Sequence, residues 1–199
     1  MVIQMSSFTI NKIAYNLKTN INYDHKLNDI FRFAHEEYKQ FYPDFKEWFY
    51  DKMVVDFYKG NRIIYAIENE YNNIYGIAIL KKPNISISSN KICSLYLLKE
   101  IRKLGLGTLL FTDFYKEFNE NIFNPNLVIT VPEERLFETD GGIQFYRFLN
   151  NHGFKLKNAN RGKYRLGYHE YVFIKNLSGV NHGNQRYNNH SAQICLRNS

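Results

Sequence analysis

Cysteine is nearly absent. Cys93 and Cys195 are the only two in 199 residues, and they share no short spacing. A disulfide framework and a Cys-x-x-Cys metal site are therefore excluded as organising features, and a reducing cytoplasm is the default setting. Proline is scarce at 4 and glycine stands at 11, which excludes collagen-like and low-complexity chains. No apolar run reaches 18 residues, so no membrane-spanning helix is expected. The opening MVIQMSSFTINK has no basic stretch followed by an apolar core and does not read as a secretory leader. The six histidines, at 25, 35, 152, 169, 182 and 190, show no metal-ligand spacing, and no metal is expected.

What is abundant is aromatic side chain, at 17% of residues, with 16 Tyr and 16 Phe. Apolar residues at 44% and charged residues at 23% describe a folded chain of one domain's length. The net charge of +7 favours a phosphate-bearing partner without choosing between a nucleotide and a nucleic acid. The Lys and Arg are scattered, and no segment is dense enough for a nucleic-acid arm.

Hydrophobic spacing divides the chain into alternating elements. Ser7 to Tyr15 partly alternates and reads as a strand. Asp24 to Phe41 carries apolar residues at helical spacing, with Asp24 as N-cap, and a second helix follows Pro43 up to Gly60-Asn61. RIIYAIE and IYGIAIL, joined by Asn69 to Asn73, read as a hairpin. ICSLYLL, from Ile92, is almost continuously apolar, as in a strand covered on both faces. A helix from about Leu106 to Phe118, a strand LVITV, a helix Ile143 to Asn151 and two further strands complete the order β-α-α-β-β-β-α-β-α-β-β. The expected fold is α/β, a mixed sheet with helices on its faces. The expected domain spans 1–175, and the polar, Asn-rich segment 176–199 is expected to be a disordered tail.

The informative stretch is Ile92 to Phe118. A buried strand runs into Arg102-Lys103-Leu104-Gly105-Leu106-Gly107 and then a helix. This is the chemistry of an anion cradle. Glycines let backbone N–H groups approach a ligand, and the helix offers unpaired N–H groups and its positive dipole end. No Gly-Lys-Ser/Thr ends the loop, so it is not a P-loop. The third glycine of a dinucleotide fingerprint is missing.

The block ICSLYLLKEIRKLGLGTLLF resembles motif A of the GCN5-related N-acetyltransferase (GNAT) superfamily, a fourth strand, a Gln/Arg-x-x-Gly-x-Gly/Ala loop and a helix. LVITVPEE and FYRFLNNHGFKL match the fifth strand and the Gly-Phe block that follow, and the resemblance covers Ser7 to Ile174. It implies a mostly antiparallel sheet of six to seven strands with a splay between the fourth and fifth. It implies acetyl-CoA as co-substrate, with the backbone of Lys103, Leu104, Gly105, Leu106, Gly107 and Thr108 on the pyrophosphate, Arg102 and Lys103 adding charge, and the main chain of Leu97 and Leu98 pairing with the pantetheine arm. It also implies transfer to a primary amine, of a small molecule or a protein, in a ternary complex. Dimers are frequent in the family.

The match departs from the family where a Tyr donates a proton to the leaving thiolate. That position is Leu149, and Tyr146, three residues earlier on nearly the same helix face, is the candidate substitute. The fourth strand offers no carboxylate as base. Glu133 and Glu134, just past the fifth, are the candidates. Cys93 reads as a small buried hydrophobe, with no His or Asp partner marked for it. The aromatic run Phe41 to Phe45 and Trp48, with Glu36, Glu37, Asp44 and Glu47, reads as core or as the wall of a cationic acceptor site. A toxin-like enzyme acting on aminoacyl-tRNA ranks below a small-amine or protein acceptor, because the basic residues are dispersed. A non-catalytic acyl-CoA-binding module and a coenzyme-free nucleic-acid binder are the remaining alternatives.

Overall fold

The computed structural model describes residues 7–16, 21–82, 90–119, 126–137, 139, 141–162 and 166–177. The segment expected to be a tail lies, from residue 178 on, outside the described residues.

Seven strands form one sheet in the order β1-β2-β3-β4-β5-β7-β6. They are β1 (Phe8–Ala14), β2 (Arg62–Asn69), β3 (Ile74–Lys81), β4 (Asn90–Leu97), β5 (Asn126–Pro132), β6 (Lys155–Arg161) and β7 (His169–Asn176). Every pairing is antiparallel except β4 with β5. The mixed, mostly antiparallel sheet expected from the sequence is what forms.

The central strands β2 and β3 are buried on both faces, which explains their nearly unbroken apolar runs. One face packs on α1 (Asp24–Tyr38) and on a second helical stretch. That stretch begins as α2 (Phe45–Glu47), passes through a π-helical segment (Trp48–Val54) and ends as α3 (Val55–Tyr58). Phe45, Phe49, Met53 and Phe57 are buried on it, and the spacing of four keeps them on one stripe. The other face packs on α4 (Leu106–Asn119) and α6 (Gly142–Asn151), through Leu110, Phe111, Phe114 and Leu149.

The helix boundaries show two differences from expectation. Asp24 is the first residue of α1 rather than its cap, and its backbone N–H is taken by the Asn22 side chain at 2.7 Å. The five-residue α5 (Glu133–Phe137) has too few turns to display a period, and spacing did not reveal it.

Cys93 is half-buried but not among apolar groups alone. The buried Arg62 guanidinium donates to its sulfur at 2.7 Å and to Asp56 at 2.9 Å.

Candidate active site

The β4–β5 ladder stops early. Only Asn90–Leu127, Lys91–Val128 and Ile92–Ile129 are paired, and beyond them the two strands run apart. β4 continues for five residues, to Leu97, with one edge against β3 and the other facing this gap. The Leu98 N–H points the other way, to Tyr75 O at 2.8 Å. Leu95 and Leu97 are the residues that turn main-chain groups into the gap, because strand peptides alternate between edges.

Side chains from three other elements meet those groups. Arg135 of α5 donates from Nη2 to Leu95 O at 2.6 Å. Tyr38, at the end of α1, accepts from Leu95 N–H at 3.2 Å and from Arg135 Nη1 at 3.2 Å, and hydrogen-bonds Ser94 Oγ at 2.8 Å. Arg102 donates from Nε to Leu97 O at 2.9 Å. A backbone group withdrawn from its ladder and buried needs a partner, and these side chains supply one.

Aromatic rings line the same space. The Arg135 guanidinium carbon lies 4.9 Å from the Phe145 ring centre, 5.3 Å from Tyr38 and 5.8 Å from Tyr96. Arg102 lies 5.6 Å from Tyr96. The Tyr96 hydroxyl is pushed up, first by burial and then by its hydrogen bond to the Glu37 carboxylate. It stays protonated beside Glu37, while Arg102, at the same hydroxyl, acts in the opposite direction. Phe45 stacks on Tyr38 at 5.4 Å and is buried, as is Phe41, whereas Tyr42 and Trp48 are half-exposed.

Two adjacent glycines make room for the two arginines, Gly141 for Arg102 and Gly142 for the backbone of Arg135. Gly141 has φ +92°, and a Cβ there would meet Arg102 Nη1 at 2.8 Å. A Cβ on Gly142 would lie 2.2 Å from Leu136 O and 2.6 Å from Arg135 O. The start of α6 therefore lies directly on the backbone of α5, an approach that only glycine permits.

At the head of the gap the chain makes a 3-10 turn (Lys99–Ile101) and then the loop into α4. Lys103 has φ +67° and Gly105 φ +80°, and a Cβ on Gly105 would meet no protein atom within 4 Å. Residues in the left-handed region turn successive N–H groups toward one side, and the first N–H groups of α4 have no partner within the helix. The loop thus offers backbone donors at the start of α4.

No family model matches this sequence, and no curated protein matches it. Solved structures do. A GNAT-family protein from Desulfovibrio desulfuricans superposes with a TM-score of 0.61 at 10% identity, over 86% of this chain and 99% of its own. Arabidopsis thaliana NAA60, solved with a bisubstrate analogue, gives 0.60 at 13% identity, over 86% and 99%. An aminoglycoside 6'-N-acetyltransferase complexed with coenzyme A gives 0.56 at 14% identity, over 84% and 97%. This chain has the GNAT fold.

Within that GNAT fold the candidate residues fall as follows. Lys103 and Gly105 are exposed on the loop, Leu104 is half-buried and Leu106 is buried beneath it. A Cβ on Gly107 would sit 3.1 Å from the Phe148 ring, so this glycine also serves the contact between α4 and α6. Thr108 Oγ1 is 3.3 Å from His152 Nε2. Arg102 is turned back toward Tyr96 and the gap. Leu97 O faces the gap, whereas the Leu98 N–H belongs to the β3 side.

The acid and base candidates are placed less centrally. Tyr146 packs edge-on against Phe173 at 5.8 Å and lines an apolar hollow with Leu136, Phe137, Ile143, Leu156 and Tyr171, none of them on β4. Leu149 is fully buried. Glu133 accepts from His169 Nδ1 at 3.0 Å and from His169 N–H at 3.1 Å, and these bonds hold its carboxyl below the usual range. A carboxylate so held is a weak proton acceptor. Glu134 is buried. The groups the gap gathers instead are Tyr38, Ser94, Tyr96, Glu37 and Arg135. No local pattern marks them, since Tyr38 and Arg135 are 97 positions apart.

Proposed function

We propose that this protein is an acetyl-CoA-dependent N-acetyltransferase that passes the acetyl group directly to a primary amine in a ternary complex. One observation carries this reading. The parallel β4–β5 ladder parts after three pairs, and a loop with two left-handed residues, Lys103 and Gly105, leads from the end of β4 into the α4 N-terminus.

The backbone of Lys103 to Thr108 holds the pyrophosphate, with Lys103 adding charge at the rim. The pantetheine arm lies in the gap and pairs with the main chain of Leu97 once Arg102 Nε releases Leu97 O. Acetyl-CoA supplies the activated carbonyl. The amine nitrogen attacks that carbon, a C–N bond forms and the C–S bond breaks. The ammonium proton must leave first, and the coenzyme thiolate takes up a proton at the end. Glu37, the carboxylate beside the Tyr96 hydroxyl, is the candidate base on the gap. Tyr38 is better placed than Tyr146 as acid, because its hydroxyl stands in the gap beside Ser94 Oγ, which can replace the proton it gives.

The test is thiol release from acetyl-CoA across a panel of amines, with aminoacyl-tRNA included. Release with an amine supports the reading. Acetyl-CoA binding without release from any acceptor supports the non-catalytic module instead.

A further inference from the structure

A closed ring of hydrogen bonds forms on Leu95. Its N–H donates to the Tyr38 hydroxyl at 3.2 Å, Arg135 Nη1 donates to the same oxygen at 3.2 Å, and Arg135 Nη2 donates to Leu95 O at 2.6 Å. The two prongs of one guanidinium thus bridge a side chain of α1 and the main chain of β4. Ser94 Oγ meets the Tyr38 oxygen at 2.8 Å from the same strand. The Tyr38 ring is held as well. It stacks on Phe45 with centres 5.4 Å apart and planes 13° from parallel, and the Arg135 guanidinium carbon lies 5.3 Å from its centre. The rings of Phe145 and Tyr96, at 4.9 and 5.8 Å, fix the guanidinium in turn.

The Tyr38 hydroxyl is therefore placed by three groups, and one of them is a cation. An uncharged donor is enough to hold a neutral hydroxyl. A cationic donor gains strength when the oxygen it meets becomes negative, and losing a proton makes it so. We propose that Arg135 is a positioning residue for acetyl transfer, holding the Tyr38 hydroxyl on Leu95 and stabilising the phenolate that Tyr38 becomes when it gives its proton to the coenzyme sulfur. This rests on the acetyltransferase reading and on Tyr38 as its acid. In that step the C–S bond breaks and its electron pair goes to sulfur. The Tyr38 proton passes to the same sulfur, and the O–H electron pair stays on the phenol oxygen beside Arg135. Solvent returns a proton after the thiol has left. The guanidinium neither gives nor takes a proton. A lysine at this position would keep the charge, but its single nitrogen lacks the planar fork that reaches both Leu95 O and Tyr38.

The experiment is a double-variant cycle on kcat. Thiol release at saturating acetyl-CoA is followed for the parent, Tyr38→Phe, Arg135→Gln and the double variant. The acceptor is the most active of methylamine, phenethylamine, putrescine and glycylglycine. Calorimetry gives acetyl-CoA affinity, and melting curves give the folded fraction. Arg135→Gln should lower kcat by about 10- to 100-fold, the range of one charge-assisted hydrogen bond, with acetyl-CoA affinity and the acceptor's KM little changed. The double variant should match Tyr38→Phe alone, because without the hydroxyl the guanidinium has no oxygen to act on. Arg135→Lys should recover part of kcat, and it replaces Arg135→Gln in the cycle if that variant does not melt cooperatively. Losses that multiply in the double variant overturn the proposal, since Arg135 would then act without Tyr38. Parent-like kcat in either folded single variant overturns it, and so does a loss that follows only the folded fraction. Acetyl-CoA binding with no amine turned over also overturns it. Failure to bind acetyl-CoA at all overturns the underlying acetyltransferase reading instead.

Discussion

Arg135 Nη2 lies 2.6 Å from Leu95 O, at the point where β4 has lost β5 as a neighbour. The same guanidinium donates to the Tyr38 hydroxyl, which in turn accepts from Leu95 N–H. Both main-chain groups of Leu95 are thus held by side chains from α1 and α5. The gap stays open because its exposed ladder edge is satisfied without a strand.

Tyr38→Phe tests that arrangement. It leaves the Leu95 N–H and one Arg135 N–H without their acceptor in a buried site. The expected loss of stability is about 1–3 kcal/mol, measured by urea unfolding. The same variant should lower kcat with little change in acetyl-CoA affinity, since its hydroxyl meets the reacting end of the gap. Unchanged stability and unchanged kcat would remove Tyr38 from both roles.

Gly142→Ala tests how α5 is set. The new methyl would fall on the carbonyls of Leu136 and Arg135 at 2.2 and 2.6 Å, so backbone must move. We expect a loss of about 3 kcal/mol, at the upper end of overpacking costs. Arg135 moves with its helix, and its hydrogen bond to Leu95 O should loosen. A variant as stable as the parent would mean that α6 does not press on α5.

His152 predicts a pH dependence. Its ring stacks on Phe111 at 4.7 Å, and burial, followed by the Lys175 ammonium, lowers its pKa from 6.5. The folded state therefore binds fewer protons at this site than the unfolded state. Its contribution is present in full above pH 6.5 and is lost as pH falls from there through the folded-state pKa. Urea midpoints at about pH 7.5 and about pH 5 should differ more for the parent than for His152→Gln. An equal drop in both proteins would place the acid sensitivity elsewhere.

The outline of the fold was legible because its signals are local. The β2–β3 hairpin, the apolar run of β4 and the loop into α4 each carry their pattern within one short, continuous segment. The loop glycines were readable for the same reason. The π-helical segment was not, since Phe45, Phe49, Met53 and Phe57 show an ordinary helical stripe whichever way the backbone closes its bonds. The gap's side chains were not legible either. Glu37 stood among several acidic neighbours, and only its meeting with Tyr96 across 59 positions singles it out. Arg135 lies on a five-residue helix whose placement depends on the close approach at Gly142.

The central claim is that the loop at the head of the gap holds acetyl-CoA, and thermal melting with and without it is the most direct test. Ligand at about 100 times its dissociation constant stabilises by roughly 2.7 kcal/mol, or about 5–11 °C for a chain of this size. The parent should show that shift. Gly105→Val should fold, with a lower starting melting temperature from a β-branched residue at φ +80°, and should show no shift, because its side chain enters the phosphate's space while meeting no protein atom at its Cβ. No shift in the parent, or an equal shift in Gly105→Val, would contradict the account.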